Sequence, residues 1–458
     1  MATTFDAIII GTGQSGPPLA GRLTAAGMHV AIIERKLFGG TCVNAGCIPT
    51  KALVASAKAI HMARRAADYG FRTGEITVDM PAVKARKDRI VAASNQGVEQ
   101  WLRGMKNCTV YQGHARFESP RTVRVGDEVL EAGKIFINVG GRAAKPAIAG
   151  LDTVSFRTNS SMMAVDFLPR HLVILGGSYI GLEFGQMYRR FGSEVTILEH
   201  ADRLIAHEGP DICEAIRKIL EGEGIQVLTS ADVREVAPRG GRIACRIAIA
   251  SEDREIEGSH LLVAVGRVPN TDDLGLDRAG VAVDARGYIQ VDDQLRTTVR
   301  GIWAMGDCNG RGAFTHTSYN DFEIVAANLL DNDPRRVSDR ILAYNLYIDP
   351  PLGRGGMSET DVRKSGRKAL IGTRPMTRVG RAVEKGETQG FMKVLVDAES
   401  KLILGASLLG VECDEVIHSL LDIMYAKAPY TVIQRAVHIH PTVSELIPTL
   451  LGELKPLE

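Results

Sequence analysis

Residues 7–34 run Ala7-Ile-Ile-Ile, Gly11-Thr-Gly13-Gln-Ser-Gly16, a helix-like segment, and Val30-Ala-Ile-Ile-Glu34. The order strand, glycine turn, helix, strand, acid specifies a dinucleotide-binding unit. Gly11 allows the tight turn, Gly13 lets a pyrophosphate approach the backbone, Gly16 lets helix and strand pack, and Glu34 can accept from a ribose hydroxyl. Pro17 and Pro18 fall within the first helical turn, where amide protons lack intrahelical partners, so they do not break the pattern.

The pattern recurs: His171-Leu-Val-Ile-Leu leads into Gly176-Gly-Ser178-Tyr-Ile-Gly181, a second helix-like segment and Glu194-Val-Thr-Ile-Leu-Glu199. The acid follows the last glycine by eighteen residues in both copies, 16 to 34 and 181 to 199. Two such units in one chain imply two nucleotides. Ser178 holds the middle glycine position of the second copy and is small enough to donate to a pyrophosphate. Glu199 accepts from a free 2′-hydroxyl and repels a 2′-phosphate, which favours NADH over NADPH; His200 and Arg203 follow closely.

Between the copies lies Phe38-Gly-Gly-Thr-Cys42-Val-Asn-Ala-Gly-Cys47-Ile-Pro-Thr-Lys51. A regular helix through both cysteines would set their Cα atoms about 8.6 Å apart, beyond the roughly 6.8 Å that a disulfide spans. Asn44 and Gly46 tolerate unusual dihedrals and let the segment bend into a small ring. Pro49 then suits the first turn of a helix expected over Ala52–Ala67. Cys47 would sit near that helix's N-terminus, where the dipole favours a thiolate.

The 458 residues suggest about three domains. Basic and acidic residues balance at 55 against 54, which removes any argument for nucleic acid or an anionic membrane as partner. No basic segment followed by an apolar run and cleavage site opens the sequence, and no apolar run is long enough to span a bilayer. Seven scattered cysteines do not form a secreted disulfide framework. The expected location is the reducing cytoplasm.

Ile135-Phe-Ile-Asn-Val-Gly140-Gly-Arg-Ala-Ala-Lys-Pro146 reads as a buried strand with a glycine turn, echoed by Leu261-Leu-Val-Ala-Val-Gly266-Arg-Val-Pro-Asn270. Arg300-Gly-Ile-Trp-Ala-Met-Gly306-Asp307 sets an acid at the end of a buried strand, where it can accept from a polyol. The texture changes near residue 340, with strands around Gly390–Val396 and Ile403–Leu409 and a helix over Asp414–Ala426. The chain closes on His438-Ile-His440-Pro441-Thr-Val-Ser-Glu445. His438 and His440 would face opposite ways on an extended segment, which argues against a metal site there.

These motifs, in this order, resemble the pyridine nucleotide–disulfide oxidoreductases, which include dihydrolipoamide dehydrogenase, glutathione reductase and mercuric reductase. The resemblance covers the chain end to end. It implies an α/β protein with two Rossmann-like dinucleotide-binding domains and a C-terminal α+β dimerisation domain. The first domain, 1–150, would hold FAD and the redox disulfide and be completed by about 271–340. Residues 151–270 would bind NAD(P)H, and 341–458 would form a homodimer.

The same resemblance assigns roles by position. Cys42 would be the interchange thiol, Cys47 the charge-transfer thiol, and Lys51 with Glu183 a pair near flavin and nicotinamide. Gly11, Gly13, Gly16, Glu34, Gly40, Thr41 and Asp307 would contact FAD, and Gly176, Gly181, Glu199 and Gly266 the nicotinamide nucleotide. His440, oriented by Glu445, would be the acid/base serving the partner subunit's disulfide.

Gly176–Glu183, Ala313-Phe-Thr-His-Thr-Ser-Tyr-Asn-Asp321 and Asp349-Pro-Pro-Leu-Gly-Arg-Gly-Gly-Met357 look closest to the mercuric-reductase-like branch that also holds the reactive-chlorine-resistance flavoproteins. Three mercuric-reductase features are missing: an N-terminal metal-binding domain, a cysteine pair within Leu451–Glu458, and a tyrosine at His440. The expected activity is therefore electron transfer through Cys42–Cys47 to a disulfide, a soft metal ion such as Hg(II) or Cu(II), or another oxidant; no resident metal site is identified, and the reduced Cys42/Cys47 pair could bind a soft ion as substrate. Dihydrolipoamide dehydrogenase is the alternative within the family. A redox-sensing or metal-binding flavoprotein is the alternative from another class.

Overall fold

The computed structural model describes residues 2–458. Its first sheet is parallel, in the order Ile302–Ala304, Ile135–Ile137, Ala7–Ile10, Val30–Glu34, Cys108–Gln112. Side chains alternate across a strand, and both faces of this sheet are buried. Ala7, Ile9, Val30 and Ile32 pack with Leu19, Leu23, Leu102 and Val325 of the covering helices. Ile8, Ile10, Ala31 and Ile33 pack with Phe117, Val123 and Leu130 of a small four-stranded sheet. Double burial explains why these strands are continuous apolar runs.

The second unit repeats the plan, with strands Phe156–Arg157, His260–Val263, His171–Leu175, Glu194–Leu198 and Gln226–Leu228 in parallel order. Leu172, Ile174, Val195 and Ile197 pack with Leu182, Ile212 and Ile216. On the other face Val173, Leu175 and Leu198 meet Val236, Cys245 and Ile247 of the antiparallel sheet formed by Asp232–Arg239, Arg242–Ile249 and Glu252–Gly258. Both expected Rossmann-like units are present. Strand Ile302–Ala304 pairs with Ile135–Ile137, so the chain returns to the first sheet after completing the second.

The C-terminal part is a six-stranded antiparallel sheet in the order Ala343–Leu346, Leu352–Gly356, Ile403–Leu409, Phe391–Asp397, Ala369–Pro375, Lys455–Pro456. Helices Cys413–Tyr425 and Leu446–Gly452 cover its core around Val394 and Leu408. Among the described residues no helix is long and apolar enough to cross a membrane.

One helix differs from expectation: that expected over Ala52–Ala67 spans Cys47–Arg64, because Pro49 is its third residue and needs no amide partner there. The next helix runs over Met80–Gly104, where the Asp79 carboxylate accepts from Ala82 N at 2.9 Å and caps the start.

A buried ionic clamp ties the three parts together. Arg190, 5% exposed, donates to Glu223 at 2.7 and 2.9 Å and to Asp349 at 2.6 Å, and Lys58 reaches Asp349 at 3.0 Å. Removing one partner from such a cluster strands the other charges in a desolvated site, at about 3–5 kcal/mol. Arg190→Ala should therefore lower the thermal unfolding midpoint of the holoenzyme by several degrees, measured by calorimetry, while Arg217→Ala on the exposed helix face should not.

Candidate active site

A cavity of about 1280 Å³ runs from Glu34 past both cysteines to Tyr179 and Glu183, with residues of all three parts in its wall. The first glycine turn forms one end. Gly11 has φ +106°, and a Cβ on it would stand 2.2 Å from Asn138 O. A Cβ on Gly16 would stand 2.3 Å from Gly11 O, so helix and strand approach as closely as the motif requires. Gly40 crosses this turn so tightly that its Cβ would lie 3.0 Å from Gly13 Cα, and Thr41 continues the wall.

Glu34 is buried at 8% exposure, and its carboxylate accepts from Thr12 N at 3.1 Å, Thr12 Oγ1 at 2.6 Å and Lys36 N at 2.8 Å. Glu199 repeats this in the second unit, accepting from Gly177 N at 2.5 Å and Ala201 N at 2.7 Å. Each acid is thus pinned by its own turn and keeps lone pairs for a ribose. Gly176 has φ +108° and Gly181 would place a Cβ 1.9 Å from Gly176 O, which matches the first copy. The sequence repeat is a geometric repeat. Arg203, close behind Glu199, lies 3.8 Å from Asp202. Gly266, at φ +128°, turns the chain into Arg267, whose guanidinium lies 3.5 Å from Asp307. Burial raises the Asp307 pKa against the pull of Arg267.

The short helix Gly40–Asn44 carries Cys42, and the long helix begins at Cys47. Ala45 and Gly46 leave helical geometry between them, with Gly46 at φ −125°, ψ −117°. This is the bend that the spacing requires. Both cysteines are free thiols, and Cys42 hydrogen-bonds Cys47. That bond, with Thr315 and Lys51 and against desolvation, lowers the Cys47 pKa to about 6. The same bond, followed by burial and the Cys47 charge, drives the Cys42 pKa far above its usual range. One sulfur is set up as thiolate and the other keeps its proton.

Lys51 Nζ donates to both Glu183 oxygens, at 2.9 and 2.7 Å, from the second turn of the Cys47 helix. Glu183 also accepts from Tyr347 N at 3.0 Å, and Lys51 Nζ stands 4.6 Å over the Tyr347 ring. His440 Nδ1 lies 3.0 and 2.9 Å from the Glu445 oxygens, but its side chain is 78% exposed and lines no part of the cavity. Gly11, Gly13, Glu34, both cysteines, Lys51, Glu183 and Asp307 therefore line one cavity, whereas Gly176, Gly181, Glu199 and Gly266 of the second unit and the His440–Glu445 pair are not in its wall.

Sequence reasoning missed Thr315, whose Oγ1 is 3.0 Å from Cys47 Sγ, together with Tyr347 and Asn138. Thr315 lies in Ala313–Asp321 and Tyr347 just before Asp349–Met357. A threonine opening a helix near the end of the first unit was the available signal.

The family model for pyridine nucleotide-disulphide oxidoreductases matches residues 5–321, and the model for that family's dimerisation domain matches 342–451. The chain belongs to the pyridine nucleotide–disulfide oxidoreductases. This oxidoreductase is 36% identical to the probable pyridine nucleotide-disulfide oxidoreductase RclA of Escherichia coli (strain K12), over 98% of this chain and 99% of that one. It is 32% identical to the dihydrolipoyl dehydrogenase of Thermus scotoductus, over 96% and 95% of the two chains. It is 31% identical to the mercuric reductase of Bacillus cereus, over 91% of this chain and 66% of that protein. The structure of the Cu(II) complex of HOCl-induced flavoprotein disulfide reductase RclA from E. coli superposes with a TM-score of 0.89, at 36% identity over 97% and 99% of the two chains. Full-length likeness to that flavoprotein agrees with the branch expected from the residues.

The oxidoreductase is FAD-dependent, and its cavity fits the group. Asn138 Nδ2 is buried without a partner and lies 3.2 Å from where a Cβ on Gly13 or Gly16 would stand, so the glycine floor presents an unmet donor beside a side-chain-free surface. Among the described residues no three His, Cys, Asp or Glu side chains are arranged to hold a metal ion.

Proposed function

We propose that this oxidoreductase passes two electrons from NAD(P)H through a Cys42–Cys47 disulfide to a disulfide or soft metal acceptor, with Cys42 facing the acceptor and Cys47 the flavin. FAD, when bound, supplies the two-electron relay between nicotinamide and disulfide. The single observation carrying the reading is the placing of two free thiols, Cys42 and Cys47, on either side of a sharp bend in one cavity wall with the Lys51–Glu183 pair.

Reduction of the disulfide consumes two electrons and one proton, the content of a hydride, and leaves Cys42 as thiol and Cys47 as thiolate. A base then takes the Cys42 proton, and the Cys42 thiolate attacks an acceptor disulfide. The first leaving thiolate recovers that proton, Cys47 attacks Cys42 to re-form the disulfide, and the second leaving thiolate is protonated by water. His440 with Glu445 suits the base, and its exposure supports service to a second subunit rather than its own. Val437 and Ile439 precede it at 100% and 81% exposure, apolar residues that a partner would cover. Lys51–Glu183, Gly40, Thr41 and Asp307 would line the flavin, with Gly13 and Glu34 at its pyrophosphate and ribose.

The Cu(II) complex of the E. coli relative supports a metal ion among the acceptors, and a dithiol pair suits soft or borderline ions. Anaerobic screening of disulfides, Hg(II) and Cu(II) with NADH and NADPH, on wild type and Cys42→Ser, tests the reading. Turnover of none of them, or equal turnover in both proteins, would overturn it.

The fixed Glu199 carboxylate supports NADH as the preferred donor. A 2′-phosphate there would meet an uncompensated negative charge, so kcat/KM for NADH should exceed that for NADPH by about tenfold or more. Glu199→Ala should narrow the gap, read from steady-state kinetics with both donors.

A pH dependence also follows. Cys47 has a lowered pKa, so its thiolate is present above about pH 6 and lost as pH falls through that value. The long-wavelength thiolate-to-flavin band of the reduced protein should titrate with that midpoint, disappearing on the acid side.

A further inference from the structure

We propose that Thr315 is a catalytic residue: its hydroxyl donates to the Cys47 sulfur and keeps it a thiolate throughout turnover. The proposal rests on the reading of Cys47 as the flavin-side thiolate. Thr315 Oγ1 lies 3.0 Å from Cys47 Sγ, and against a deprotonated sulfur the hydroxyl can only donate.

The three other influences on that sulfur are weaker or transient. Lys51 is engaged by both oxygens of Glu183, so its charge is largely spent there. The Cys42 thiol donates to Cys47 in the resting dithiol, but it loses its hydrogen when Cys42 attacks the acceptor. During the mixed disulfide Cys42 has no proton to give, and Cys47 must be a thiolate at that moment to attack back. The helix N-terminus at Cys47 and its own backbone amide also favour the thiolate, but they are main-chain features common to every variant. Thr315 is the side-chain donor that remains.

The fold holds the hydroxyl in place. Thr315 opens the helix Thr315–Ala326, whose Ser318 Oγ and O each lie 2.6 Å from Ser15 Oγ in the first glycine turn. Asp321, farther along the same helix, accepts from Gly306 N at 2.8 Å and Asn309 Nδ2 at 2.9 Å. Phe314, just before, is parallel to the Tyr344 and His316 rings at 5.5 and 5.4 Å. The hydroxyl is thus tied to the turns that present Asp307 and Gly13.

The test titrates Cys47 in a Cys42→Ser background, comparing Thr315, Thr315→Val and Thr315→Ser. Two readouts are taken on each purified protein: the long-wavelength band against pH, and the rate of iodoacetamide alkylation at Cys47 against pH by mass spectrometry. The second does not depend on bound flavin. Loss of one hydrogen bond to a charged group should raise both midpoints by about one pH unit in Thr315→Val, roughly a tenfold drop in thiolate fraction on the acid side. Thr315→Ser should restore the parent midpoint, which a packing role would not require. An unchanged midpoint in Thr315→Val with the band intact overturns the proposal and leaves the Cys47 reading standing. Absence of both the band and pH-dependent alkylation in the Cys42→Ser parent overturns the Cys47 reading, and the proposal with it.

Discussion

Cys42→Ser will stop reduction of a disulfide acceptor but, having no disulfide to break, will show the long-wavelength band before any reductant is added, and Cys47→Ser will lose both. The asymmetry follows from the two environments. Cys42 lies on the short helix Gly40–Asn44 and keeps its proton, so it is the sulfur that can be activated and then attacked. Cys47 begins the long helix and receives the bonds that stabilise a negative charge. Removing a covalent nucleophile costs at least about 10³-fold in turnover. Absorbance of each purified variant before NADH is added, followed by steady-state assay with an acceptor disulfide, separates the two roles. Equal loss in both variants would mean that the sulfurs do not divide the work.

His440→Ala should cut the acceptor half-reaction by about 10²–10⁴-fold, the usual contribution of a positioned acid/base, and leave reduction by NADH unchanged. The His440–Glu445 pair is formed but 78% exposed and lines no part of its own chain's cavity. A histidine serving the partner's disulfide predicts complementation. Mixing His440→Ala with Cys42→Ser chains should recover about a quarter of wild-type activity, because half of randomly assorted dimers are hybrids with one complete site. No recovery on mixing, with subunit exchange verified, would place the histidine's action within its own chain.

Local chemistry was legible in the sequence where a residue's role is set by its near neighbours. Gly11 and Gly16 announce a turn because the clash that excludes a side chain comes from their own motif and the adjoining strand. The acids Glu34 and Glu199 are legible for the same reason, although their pinning by Thr12 N and Gly177 N is not. A bend between the two cysteines followed from simple distance limits; of the residues expected to make it, Gly46 does, whereas Asn44 stays helical and Ala45 bends instead. Thr315 and Tyr347 were hidden because each meets its partner across long separations in the chain, 268 residues for Thr315 and Cys47 and 164 for Tyr347 and Glu183. The early start of the helix at Cys47 was also missed, since Pro49 marks a first turn without saying which residue opens it.

The account stands most directly on a titration of the oxidised holoenzyme with NADH under anaerobic conditions, following absorbance and free thiols together. One equivalent of NADH per FAD should produce the long-wavelength band with the flavin still largely oxidised, and expose a new reactive thiol at Cys42, identified by alkylation and peptide mapping. Bleaching of the flavin by that first equivalent, with no band and no newly alkylated Cys42, would contradict the claim that electrons leave through this disulfide.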